Sequence, residues 1–135
     1  MTIFYDKDTD YAEVFFKKEE NYGEEASPLI TVFKSEKNDK IVGYSFEDAS
    51  GSLFASEVLS PSVKLAALLK MIRAKENLTQ EQAAKQVAEI TLRHYQRLEA
   101  GEDNPTLSTV ESIMQAFPNY DFAQILRHPD TEDVA

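Results

Sequence analysis

The chain has 135 residues, 42% of them apolar, and a formal net charge of −10 at pH 7. That length makes one ordinary domain or two small ones, and that apolar share excludes wholesale disorder. There is no cysteine and there are only two histidines, which excludes a disulfide framework and thiolate zinc sites and suits a reducing cytoplasm.

The charge is unevenly placed. Residues 1–61 hold 6 Lys/Arg against 13 Asp/Glu, residues 62–128 hold 8 against 8, and residues 129–135 hold 0 against 3. Phosphate repels an acidic protein, so non-specific nucleic-acid binding is disfavoured for the whole. The neutral middle can still bind DNA through clustered basic side chains. No run of about 18 apolar residues occurs, so no membrane span is predicted. The opening Met1-Thr2-Ile3-Phe4-Tyr5-Asp6 has neither the basic nor the apolar region of a signal peptide.

Residues 2–6, 11–17, 29–35 and 40–46 are short runs rich in Ile, Val, Phe, Tyr and Thr, the composition of strands. Breakers at 7–10, 23–28 and 36–39 separate them, and such short gaps favour antiparallel pairing. The expectation is a four-stranded antiparallel meander. Ile30 and Val32 suggest one buried face, while Phe15-Phe16 breaks the alternation and suggests a bulge or a second buried face. Residues 53–59 read as a fifth strand or a linker.

The pattern then turns helical. Ser60-Pro61 is a helix cap with proline at the first position. Leu65, Leu68, Leu69 and Ile72 follow at helical spacing, with Lys64, Lys70, Arg73 and Lys75 off that stripe. Asn77 is a stop. Thr79 with Gln82 forms a capping box for a second helix, whose inner face is Ala83, Ala84 and Val87. Thr91 caps a third, with Tyr95 and Leu98 inward and Gly101 just past its end. Thr106 caps a fourth with the stripe Leu107, Val110, Ile113, Met114 and Phe117. Asp121 caps a short fifth carrying Phe122, Ile125 and Leu126.

The run Leu78-Thr79-Gln80-Glu81-Gln82-Ala83-Ala84, then Thr91 to Glu99, then Gly101 and Asn104-Pro105, resembles the helix-turn-helix of the Cro and lambda-repressor type, the XRE-like family. The resemblance spans residues 62–127. It implies a five-helix, lambda-repressor-like bundle, and with the N-terminal antiparallel β-meander of about four strands the expected class is α+β. The residues fit it physically. Ala83 and Ala84 are small enough for a helix crossing, Ile90 is apolar in the turn, and Tyr95 and Leu98 back the third helix. Leu92, Arg93, Gln96 and Arg97 are left facing outward to read bases in the major groove. Arginine forks onto guanine O6 and N7, and leucine can touch a thymine methyl.

The resemblance further implies that Thr79 and Gln80 hold phosphate at the second helix's N-terminus, where free N–H groups gather. Thr91 and His94 are the other two phosphate contacts expected. Glu99 is implied to be structural, tied to Arg73. Three features depart from the family pattern. The turn 87–91 is one residue longer than the usual pattern and lacks glycine, so Ala88 and Glu89 must make the bend, or the second helix must end differently. Glu102 and Asp103 stand where many relatives carry basic residues. The surrounding chain is acidic.

In the first half, Tyr5-Asp6-x-x-x-Asp10-x-Ala12 and Lys40 to Ser50 look like a small uncharacterised bacterial β-domain family often encoded beside toxins. That resemblance implies an antitoxin-like or dimerisation role. Asp6, Asp8, Asp10 and Glu13 have the alternation of a calcium loop, but Tyr11 stands where glycine is needed and Lys17 where glutamate is needed. A solvated turn is the better reading. The acidic run 19–25 reads as a solvated hairpin loop, or as a phosphate-mimicking lure for a basic partner.

Catalysis has no support. Cysteine is absent, His94 falls on the recognition helix and His128 near the terminus. The four glycines, 23, 43, 51 and 101, make no phosphate loop. No catalytic residue, cofactor or metal site is therefore expected.

The expected organisation is a β domain at 1–52 for dimerisation or partner binding, a linker or extra strand at 53–61, a helix-turn-helix DNA-binding domain at 62–128 and a disordered acidic tail at 129–135. The expected function is a cytoplasmic, sequence-specific transcriptional regulator. It is a homodimeric repressor on a double-stranded inverted-repeat operator, and in its antitoxin version it also neutralises a basic toxin and represses its own promoter. The alternative is an acidic, toxin-neutralising adaptor whose helix-turn-helix binds no DNA.

Overall fold

A computed structural model describes residues 1–126. Five strands come first: β1 (Thr2–Asp6), β2 (Tyr11–Phe15), β3 (Asn21–Ser27), β4 (Ile30–Ser35) and β5 (Ile41–Phe46). Five helices follow: α1 (Ala49–Ala55), α2 (Pro61–Glu76), α3 (Gln80–Gln86), α4 (Leu92–Glu99) and α5 (Leu107–Ala116). A 3-10 turn closes the described chain at Phe122–Ile125. The expected acidic tail at 129–135 and His128 lie outside the described residues.

The α+β class and the antiparallel sheet are as expected, but the sheet has five strands in the order β1-β2-β5-β4-β3. It is therefore a hairpin joined to a three-stranded meander, not one continuous meander. The joint is β2 against β5, with Val14 opposite Tyr44 and Phe15 opposite Gly43. Glycine is required there. A Cβ at residue 43 would stand 2.6 Å from the Phe15 ring and 2.7 Å from the Val14 carbonyl oxygen.

Strand β3 falls in the acidic run 19–25, where a solvated loop is expected. Its sequence, NYGEEAS, has no apolar alternation because it is an outer strand, exposed over residues 22–26 and paired only to β4. The other correction concerns residues 53–59. Helix α1 occupies their first part and buries Ala49, Leu53 and Phe54.

That helix is capped from a distance. Its N-cap Asp48 makes no side-chain cap and sits in the left-handed region at φ 49°. Asp10, in the β1–β2 turn, does the capping. Its carboxylate accepts from the Ser50 N–H at 3.1 Å, the Ser50 hydroxyl at 2.7 Å and the Tyr5 hydroxyl at 2.8 Å, and its carbonyl accepts from the Ala49 N–H at 2.8 Å. Burial alone would raise the Asp10 carboxyl, but the Ser50 and Tyr5 hydrogen bonds outweigh it and leave the carboxyl below its ordinary value. The Tyr5 phenol is pushed up to about 12 by burial and by Asp10.

A carboxyl lowered by folding stabilises the protein above its unfolded pKa, and that contribution is lost as pH falls through the lowered value. Asp10→Ala is therefore expected to lose about 1 kcal/mol near neutral pH, the net worth of a typical hydrogen bond, since Ser50 is exposed and Tyr5 only part-buried. Urea melts of both proteins should show the gap close under acid. A gap that persists undiminished below about pH 2, well under the usual aspartate range, would contradict this account.

Helix α2 is buried nearly all round, from Lys64 through Leu69 and at Met71 and Ile72. It packs against β1, α4 and the 3-10 turn. Lys64, which the sequence puts off the leucine stripe, is buried all the same. Its ammonium donates to the carbonyls of Phe54 at 2.8 Å and Ser56 at 2.7 Å, so it caps the end of α1. Burial pulls its pKa below the ordinary lysine value. The sheet's inner residues Ile3, Ala12, Val14 and Phe46 and the helical residues from Leu53 to Ile125 form one continuous buried cluster.

Candidate nucleic-acid interface

The local caps set the helices as their sequences demand. Thr79 accepts from the Gln82 N–H at 3.1 Å while the Gln82 side chain accepts from the Thr79 N–H at 2.9 Å. Thr91 accepts from the His94 N–H at 3.0 Å. Asn77 ends α2 in the left-handed region at φ 54°. Between α3 and α4 there is no glycine, and Glu89 makes the bend at φ 60°.

The inner sides of these helices are closed. Ala83, Ala84, Tyr95 and Leu98 are buried, and Ile90 packs partly against them. Burial, reinforced by Glu99, pushes the Tyr95 phenol far up. The outer side of α4 presents Leu92, Arg93, Gln96 and Arg97, all exposed.

A polar chain fixes α4 to its neighbours. Gln96 Nε2 donates to Gln80 Oε1 at 3.2 Å, and Gln80 Nε2 donates to Glu99 Oε1 at 3.3 Å. Arg73 Nε donates to Glu99 Oε2 at 2.8 Å and its Nη2 meets Glu99 Oε1. Arg73 Nη1 also reaches the Leu78 carbonyl at 3.2 Å. Glu99 is almost fully buried, and its hydrogen bonds hold the Arg73 pKa above the ordinary value. One ion pair thus ties α2 to α4 and presets the side chains of Gln80 and Gln96.

Thr79, Gln80, Glu81, Leu92 and Gln96 line one open groove with Lys70 and Arg73. His94 and Arg97 lie on another side of α4, beside the carboxylate of Asp103, at 3.7 Å and 3.3 Å. Arg93 stands exposed on the same helix. Lys70 also borders this groove, though its ammonium donates to the Ile3 carbonyl.

Residues 69–125 match the family model for the helix-turn-helix. This is a DNA-binding regulatory family of the XRE type, not an enzyme family, and the match covers the second half of α2 and all of α3, α4 and α5. It does not reach the β half. No curated protein and no solved structure matches the chain. Within this helix-turn-helix α3 is the first helix of the motif and α4 is the one that enters the major groove in such proteins. Among the described residues no cluster of His, Asp and Glu is placed to hold a metal ion. No described helix is long and apolar enough to cross a membrane.

Proposed function

We propose that the protein is a sequence-specific DNA-binding repressor. The observation that carries this reading is the exposed outer side of α4, held by the Arg73–Glu99 pair within the segment that matches the helix-turn-helix. Leu92, Arg93, Gln96 and Arg97 read base edges, and Thr79, Gln80, Thr91 and His94 hold phosphates. The helical half, 62–128, binds DNA, and the β half, 1–52, serves dimerisation or partner binding.

One recognition helix covers too few base pairs for useful specificity, so the operator is an inverted repeat bound by a homodimer. Helix α5 supports such a pairing. Leu107 is 87% exposed and Met114 46% exposed, and the two stand seven residues apart on one helix face. The described part of that helix carries only one charge, Glu111. Leu107→Glu combined with Met114→Glu is expected to convert a dimer into a monomer by light scattering. A wild-type monomer, or a dimer indifferent to both changes, would count against this pairing.

The gene's own promoter is the proposed operator. A hydroxyl-radical footprint on that upstream DNA should show two protected patches about one helical turn apart. A single patch or none would oppose the dimeric repressor. A basic toxin is the second proposed partner in the antitoxin version of this reading, favoured by the exposed acidic side chains of the outer strand β3, Glu25 and the Lys34-paired Glu24. The same carboxylates favour the adaptor reading, in which partner binding survives loss of every DNA contact.

A further inference from the structure

We infer that Asp103 is a specificity-determining residue that orients Arg97 toward a guanine and weakens sequence-independent binding to DNA. The inference rests on the reading of α4 as the base-reading helix. Its starting point is the turn after α4. Gly101 takes φ 73°, the Gly101 N–H donates to the Leu98 carbonyl at 3.1 Å and the Glu102 N–H donates back to the Arg97 carbonyl at 3.0 Å. This is the left-handed helix ending that glycine permits. It reverses the chain, and residue 103 comes to lie over the last turn of α4.

The consequence is a carboxylate among the cations meant for DNA. Asp103 Oδ2 stands 3.3 Å from Arg97 and 3.7 Å from His94 Nε2. The approach to Arg97 is through Nε. The terminal Nη groups are the prongs that grip guanine O6 and N7. A carboxylate on Nε therefore limits the wandering of a long, half-exposed side chain without spending the prongs that read the base.

The same carboxylate acts in the opposite sense on phosphate. An arginine already neutralised by aspartate releases fewer counterions from DNA, and the aspartate itself repels the backbone. Sequence-independent binding is weakened, while a guanine contact, made to uncharged base atoms, is retained. The bland alternative is a surface ion pair with no influence on DNA, which is the common lot of exposed pairs.

The test uses the full chain. Wild type, Asp103→Asn, Arg97→Ala and the double variant each select duplexes from a pool randomised over about 20 base pairs, two helical turns. Affinity for the unselected pool is measured alongside. Wild type is expected to enrich guanine at one position per half-site. Asp103→Asn should lose most of that preference and bind the unselected pool about 3- to 10-fold more tightly, the effect of removing one repulsive charge at low salt. In the Arg97→Ala background the same change should leave base preference unaltered. Asp103→Ser should behave as Asp103→Asn, which separates loss of the carboxylate from damage to the loop.

An Asp103→Asn protein that enriches the same guanine as strongly as wild type overturns the inference. So does an effect on base preference that persists without Arg97. A wild-type protein that enriches no sequence overturns the reading of α4 itself.

Discussion

Arg73→Ala is expected to cost about 3–5 kcal/mol, because it strands a buried carboxylate. Glu99 is 1% exposed and takes its two shortest side-chain contacts from Arg73. A domain of ordinary stability has about 5–15 kcal/mol in all, so much of it would go in one step. Gln80 would remain as a neutral donor at 3.3 Å, too weak a partner for a buried charge. Urea unfolding measures the loss. Glu99→Leu added to Arg73→Met should recover a good part of it, since an apolar pair carries no desolvation cost. A single variant losing less than about 1 kcal/mol, the value of an exposed pair, would show that this pair does not hold α2 to α4.

The second large effect concerns binding rather than folding. Arg93→Ala together with Arg97→Ala is expected to abolish operator recognition while leaving the fold intact. Each lost guanine contact costs about 1–3 kcal/mol, a factor of about 5 to 150 in Kd. Both side chains are exposed, so thermal unfolding should shift little. Binding that falls equally on every duplex would mean that the pair contacts only phosphate. Unchanged binding would remove α4 from the interface.

The helical half was legible in the sequence because its signals are local. Ser60, Thr79, Thr91, Thr106 and Asp121 all cap the helices they were expected to cap. A cap is satisfied within three residues and needs no knowledge of the rest of the fold. Glu89 in the left-handed region likewise answers a turn that had no glycine to use.

What the sequence hid depends on distant partners. Strand β3 has no apolar pattern of its own and exists because β4 pairs with it. Helix α1 lacks a side-chain cap of its own and borrows one from Asp10, 40 residues away in sequence. Lys64 lies off the leucine stripe yet turns inward to the carbonyls that end α1. Leu107 and Met114 fitted an apolar stripe at helical spacing, yet only Ile113 of α5 and Phe117 just beyond it are buried. Periodicity finds the apolar side of a helix and does not say what covers it.

The site divides in the same way. The outward residues of α4 follow from helical geometry once Tyr95 and Leu98 face inward. The acids at 102 and 103 were recognisable as unusual neighbours for phosphate. That Asp103 meets Arg97 follows from a chain reversal at Gly101 that no spacing rule expresses.

The most direct test is fluorescence anisotropy of the full chain with a labelled duplex from just upstream of its gene, across about 50–200 mM salt, with a scrambled duplex as control. Saturable binding that prefers the upstream duplex and weakens steeply with salt is the expected result. Equal binding to both duplexes, or none at the lowest salt, would contradict sequence-specific recognition of its own promoter by α4.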